Sequence, residues 1–125
     1  MTADSAWPSE IRLLEGGRAL EVAFDDGAAY TLSAEYLRVF SPSAEVQGHS
    51  AAQRKTVGGK RKVAILDVAP VGNYAVRLDF DDMHRTGIYT WRYLRELGAG
   101  QEHNFTAYLE ELAAKGLDRD RPGEK

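Results

Sequence analysis

Apolar and polar residues alternate through ALEVAF at positions 19 to 24, which places Leu20, Val22 and Phe24 on one face of a strand. The preceding run EIRLLE, separated from it by GGR, reads as the hairpin partner of that strand. DDG at 25 to 27 is a turn signal, because Asp and Gly tolerate the positive φ that tight hairpins demand, and AAYTL returns as a third strand. Ser33 then suits the N-cap of a short helix over AEYLRVF, its hydroxyl accepting a backbone N–H that the helix leaves unpaired.

The same order recurs downstream. YAVRLDF reads as a strand, DDMHRT as a turn, GIYT as a strand, Thr90 as an N-cap and WRYLREL as a helix closed by Gly98. Aligned on the shared FDD, Tyr36, Leu37 and Arg38 correspond to Tyr93, Leu94 and Arg95, with one residue inserted in the second turn. Two readings stand: a duplicated strand–turn–strand–helix unit, or convergent use of favourable turn chemistry.

Between these units, residues 41 to 62 show little periodicity and are rich in Gly, Ser and basic residues, the character of a functional or mobile connection. VAILDVAP predicts a strand ending at Pro70, with VGN turning into the next. Phe105, Tyr108, Leu109 and Leu112 fall at i, i+3, i+4 and i+7, an amphipathic helix against the sheet. The expected architecture is a small α+β domain, mostly antiparallel hairpins with two short helices and this C-terminal one. It spans residues 9 to 115, with a flexible segment 1 to 8 and a charged, Pro- and Gly-containing tail at 116 to 125 expected to be disordered.

Composition narrows the chemistry. The chain has 125 residues and no cysteine, which excludes disulfides, thiolate zinc ligation, a self-held iron–sulfur cluster and a cysteine nucleophile. A net charge of −3 gives no global electrostatic case for nucleic acid or for an anionic membrane. The first residues have neither the basic nor the apolar region of a secretory signal, and a soluble cytoplasmic protein is the expectation.

His84, next to Asp81 and Asp82, offers one imidazole and two carboxylates of the kind that hold iron(II), zinc or manganese; His49 lies in the long connection and could join them only through tertiary structure. The competing reading of His84 is the polar tip of a hairpin. His103, in the first turn of the last helix, is most simply solvated or packed. The Asp25–Asp26 and Asp81–Asp82 pairs are explained by turn chemistry, and no serine sits in a nucleophile-elbow context, so the reading is non-catalytic. Arg54, Lys55, Lys60, Arg61 and Lys62 surround two glycines in QRKTVGGKRK and could contact phosphates, but the segment lacks the Ser or Thr of a Walker loop and aromatic residues for base stacking.

The run YLRVFSPSAEVQGH, followed by PVGNYAVRLDFDDMHRTGIYTWRYLRELG, closely resembles the family of the N-terminal domain of gamma-butyrobetaine hydroxylase, over residues 11 to 98. In the hydroxylase this domain precedes an iron- and 2-oxoglutarate-dependent barrel that performs catalysis; these 125 residues hold no such barrel, so oxygenase activity is not expected of them and the resemblance implies an accessory module. The family's zinc site uses three cysteines after the first helix and a histidine in the second hairpin turn. The positions of those cysteines fall on Ser41, Ser43 and Val46, and that of the histidine on His84. Tight structural zinc is therefore not expected, since hydroxyls and a valine do not replace thiolates. The resemblance does imply that segment 41 to 46 and the turn at 84 lie side by side, where His84, His49, Asp81 and Asp82 could retain zinc or iron(II) weakly. Similar domains are appended to a P-loop ATPase scaffold that assembles iron–sulfur clusters, which implies an adaptor role near iron metabolism. The expected function is a binding module with a protein or small-ligand partner, recognised through Phe40, Ser41, Ser43, Tyr89 and Trp91 and the turn at 81 to 85; the alternatives are weak metal binding at His84 and phosphate or nucleic-acid binding through 54 to 62.

Overall fold

The computed structural model describes residues 7–47 and 55–120. β1 (Pro8–Leu14), β2 (Ala19–Phe24) and β3 (Ala29–Ser33) form an antiparallel sheet in that order, and α1 (Ala34–Val39) follows at once. After the short α2 (Ala44–Gln47), β4 (Ile65–Val71), β5 (Ala75–Phe80) and β6 (Gly87–Thr90) form a second antiparallel sheet, again in sequence order, and α3 (Trp91–Ala99) follows. α4 (Gln101–Ala114) packs last, completing an α+β fold. Pro70 is tolerated within β4 because that strand lies at the edge of its sheet.

The alternation in β2 does what its period predicts: Leu20, Val22 and Phe24 are buried, and Val76, Leu78 and Phe80 repeat the pattern on β5. Both sets meet, with Leu37 from α1 and Leu94 from α3, in one apolar core. At about 1.5–3 kcal/mol for each large side chain taken fully out of water, this shared cluster dominates the stability, and neither sheet has a core of its own.

The two halves are related by a reciprocal set of contacts. Each helix is capped by the residue before it, Ser33 accepting from Tyr36 N–H and Thr90 from Tyr93 N–H, both at 3.0 Å. The Tyr36 hydroxyl donates to the carbonyl of Leu97 at 2.7 Å, and the Tyr93 hydroxyl donates to the carbonyl of Phe40 at 2.5 Å. Arg95 reaches across to Asp26 while Arg38 reaches across to Asp82. In both sheets the first strand has an irregular register near its start, between Pro8 and Glu10 and between Ile65 and Asp67. Each unit thus gives the other the same set of contacts, which favours duplication over coincidence.

Two expectations change. Gly98 does not close its helix: α3 continues to Ala99, and Gly98 is a packing residue, since a Cβ there would lie 2.4 Å from the Tyr30 ring. The tail expected to be disordered from 116 is held as far as Asp120. Leu117 N–H donates to the carbonyl of Leu112, and the carbonyls of Asp118 and Arg119 accept from Gly59 and Arg61 N–H at 2.9 and 3.0 Å. Gly58 lets the strands of chain approach this closely, because a Cβ would meet the Asp118 carbonyl oxygen at 2.9 Å. No helix among the described residues is long and apolar enough to cross a membrane.

Candidate functional site

The β5–β6 turn is set by its own backbone. Phe80 N–H donates to the carbonyl of His84 at 2.9 Å, Met83 N–H to the carbonyl of Phe80, and His84 N–H to Asp82 Oδ1 at 3.2 Å. The equivalent bonds in the first half run from Phe24 to Ala28, from Gly27 to Phe24 and from Ala28 to Asp26. Met83 therefore occupies the place of Gly27, with φ of 74° where the glycine has 95°. The consequence inverts the hairpin-tip reading of His84: Met83 projects with 77% of its surface exposed, and the imidazole turns inward to 5%.

Inside, His84 Nε2 lies 2.9 Å from Ser41 Oγ, which also accepts Ser43 N–H at 3.2 Å. Ser43 Oγ is 2.7 Å from Thr86 Oγ1, and Gln47 Nε2 donates to the Ser41 carbonyl at 2.8 Å. β6 passes this close because residue 87 is glycine; a Cβ there would sit 2.6 Å from Ser41 Oγ. Tyr89 donates to the Leu37 carbonyl at 2.5 Å, and burial holds its hydroxyl well above the usual tyrosine range. Ser41, Ser43 and Tyr89 are thus buried supports of this corner, not the contact surface expected of them.

Beneath the turn, Arg38 Nε and Lys60 Nζ both contact Asp82 Oδ2, at 2.8 and 2.6 Å. Burial pushes the Asp82 carboxyl upward, but the hydrogen bonds from Lys60 and Arg38 outweigh it, and the group titrates below the ordinary Asp range. In the first half the guanidinium of Arg95 grips both oxygens of Asp26. Here Lys60 shares the carboxylate, and Arg38 Nη1 is buried with no acceptor among the described residues.

The corner implied by the family resemblance is present, but its residues do not fit a zinc ion. Ser41 and Ser43 are engaged within the protein, Val46 is buried in the place of a third ligand, and no three His, Cys, Asp or Glu side chains converge among the described residues. Asp81 accepts Ala64 N–H at 3.2 Å, apart from the use made of Asp82. His49 and Arg54 lie outside the described residues, and His103 is exposed. The basic segment is divided: Lys60 turns inward to Asp82, Arg61 pairs with Asp120 at 2.6 Å, and Lys55 and Lys62 are exposed. Phe40 and Trp91 are half-buried against the core, the Trp91 indole N–H donating to the Asn73 carbonyl at 3.0 Å. Reading the two turns against each other could have picked out Met83; no local signal announces the pairing of buried Glu35 with Arg119.

Fold and site together define a small α+β domain of two clasped units, with a buried polar corner supporting one exposed turn. The chain belongs to the family described as gamma-butyrobetaine hydroxylase-like, N-terminal, which matches residues 11–95. Among solved structures, one determined in solution by NMR is 42% identical, with a TM-score of 0.80 and 96% of this chain and 94% of that one covered. A second NMR structure is 44% identical, with a TM-score of 0.80 over 95% and 90% of the two chains. A crystal structure from Acidithiobacillus ferrooxidans, of a protein with unknown function in the DUF971 family, is 42% identical with a TM-score of 0.56, covering 74% of this chain and 92% of that one. Nothing among the curated proteins matches.

Proposed function

We propose that the domain is a protein-binding accessory module that presents the turn 81–86 to its partner. The observation that carries this reading is Met83. A non-glycine residue in the left-handed region costs about 1–2 kcal/mol, and Met83 buries too little of itself to offset that. The same turn in the first half is built with glycine, so the fold does not require methionine there. An exposed thioether side chain adapts well to an apolar pocket on another protein. Arg85 and Ile88, close to Met83 in sequence, are also exposed, so the complementary surface is an apolar pocket bordered by a carboxylate. The network of Asp82, Arg38, Lys60, His84 and Ser41 holds the turn in place before binding, which limits the entropy lost on association.

Met83→Gly separates binding from folding. Relief of the left-handed strain, less the extra chain entropy of glycine, should stabilise the fold by about 0.5–1 kcal/mol. The protein captured from cell extract by the wild-type domain should, once purified and titrated, bind Met83→Gly at least about tenfold more weakly. Equal affinity for the two domains would remove the turn from the interface.

A further inference from the structure

We infer that the cavity of about 410 Å³ between the start of β2, the segment 61–63 and the first turns of α4 binds a small organic carboxylate with an apolar body. Val63 and Phe105 supply its apolar lining, and Arg18, Arg61 and Arg119 line it as well. The volume lies in the range of small-ligand pockets, roughly 300–1,000 Å³.

The three arginines have different duties. Arg119 is part of the wall: it donates to both oxygens of the buried Glu35, at 2.8 and 2.6 Å, and lies over the Phe105 ring at 5.2 Å. Arg61 is forked on Asp120 at 2.6 and 3.2 Å. Arg18 is exposed and pairs with no carboxylate among the described residues. Its backbone is nonetheless fixed on both sides, N–H to the Glu15 carbonyl and carbonyl from Ala34 N–H at 2.8 Å. Its planar five-donor fork is therefore available from a fixed backbone position beside Val63 and Phe105, and such a fork recognises a carboxylate two bonds at a time.

Charge selects among anions. Glu35 and Glu102 also line the cavity and oppose the charge of its three arginines, so the field that remains suits a single negative charge and disfavours phosphate and dicarboxylates. Ser33 Oγ accepts from Tyr36 N–H, so its own O–H remains to donate to the ligand. The cavity shares no residue with the turn 81–86, and the inference stands whether or not that turn binds protein.

The test is an amide NMR titration of the full chain with sodium hexanoate, with hexanol and inorganic phosphate run in parallel. Hexanoate should shift the Arg18, Val63 and Phe105 amides saturably, and Arg18→Gln, whose exposed side chain leaves the rest of the spectrum in place, should bind about tenfold more weakly. Hexanol and phosphate should give no saturable shift at the same concentrations. The inference fails if hexanoate does not saturate, if Arg18→Gln binds equally, if hexanol matches hexanoate, or if phosphate binds as tightly.

Discussion

At Asp82 two cations share one carboxylate oxygen, and this residue controls how the corner responds to acid. Its carboxyl titrates lower in the folded chain than the unfolded value of about 3.9, so its stabilisation is complete above that pH and is lost as the pH falls through the folded value. Asp82→Asn should cost on the order of 3 kcal/mol near neutrality, because Arg38 and Lys60 are left facing each other half-buried. Urea unfolding of both proteins at about pH 7 and about pH 2.5 isolates the effect, since the other carboxylates cancel in the difference. The gap should narrow in acid; a gap of the same size at both values would show that Asp82 does not titrate with folding. The residues of this corner were legible in part. His84 was placed in its turn, but its burial was not, because a polar residue in a polar turn reads as solvated. What reverses it is the hydrogen bond from His84 N–H to Asp82, which puts Met83 outward and the ring inward. Burial of Ser41 and Tyr89 depends on partners more than forty residues away, which no local pattern encodes.

Strands and helices were the most legible level, since period-two alternation and two N-caps act within a few residues. The strand runs, both caps and the correspondence of Tyr36 to Tyr93 all follow from that local chemistry. What the helices do for each other was not legible, because each tyrosine reaches a carbonyl on the opposite unit. Tyr36 is the more deeply committed of the two: it is 1% exposed, donates to Leu97 and also accepts from Asn104 at 3.0 Å. Tyr36→Phe should therefore cost about 2 kcal/mol and Tyr93→Phe about 1 kcal/mol, since the first removes a hydroxyl from the buried core, together with its bonds to a carbonyl and an amide, and the second removes one from a half-buried side chain nearer solvent. Chemical denaturation of the two variants measures the order directly. No loss at either would mean that apolar packing alone joins the helices, and a larger loss at Tyr93 would reverse the order assigned to the two bonds.

Clasped contacts of this kind make a claim about the molecule as a whole. If the core belongs to both units, neither sheet can open while the other stays folded, although each has its own strands, turn and helix. Amides of β2 and β5, followed by hydrogen exchange at rising denaturant, should merge into one opening free energy. Gly17 offers the sharpest perturbation, because it lies in the turn between β1 and β2 yet touches the second unit: a Cβ there would meet the Ile65 carbonyl oxygen at 2.2 Å, and its φ is 94°. Gly17→Ala combines left-handed strain with overpacking against a backbone that cannot swing aside, a loss of about 3 kcal/mol. Because the collision is between units, that loss should appear equally in β2 and β5. Two separate plateaus in the wild type, or a Gly17→Ala effect confined to β2, would mean that the halves are stacked neighbours with independent stability. A single plateau lowered as one would mean that the exposed Met83 turn and the Arg18 cavity sit on one rigid frame, so that strain introduced in either unit reaches both.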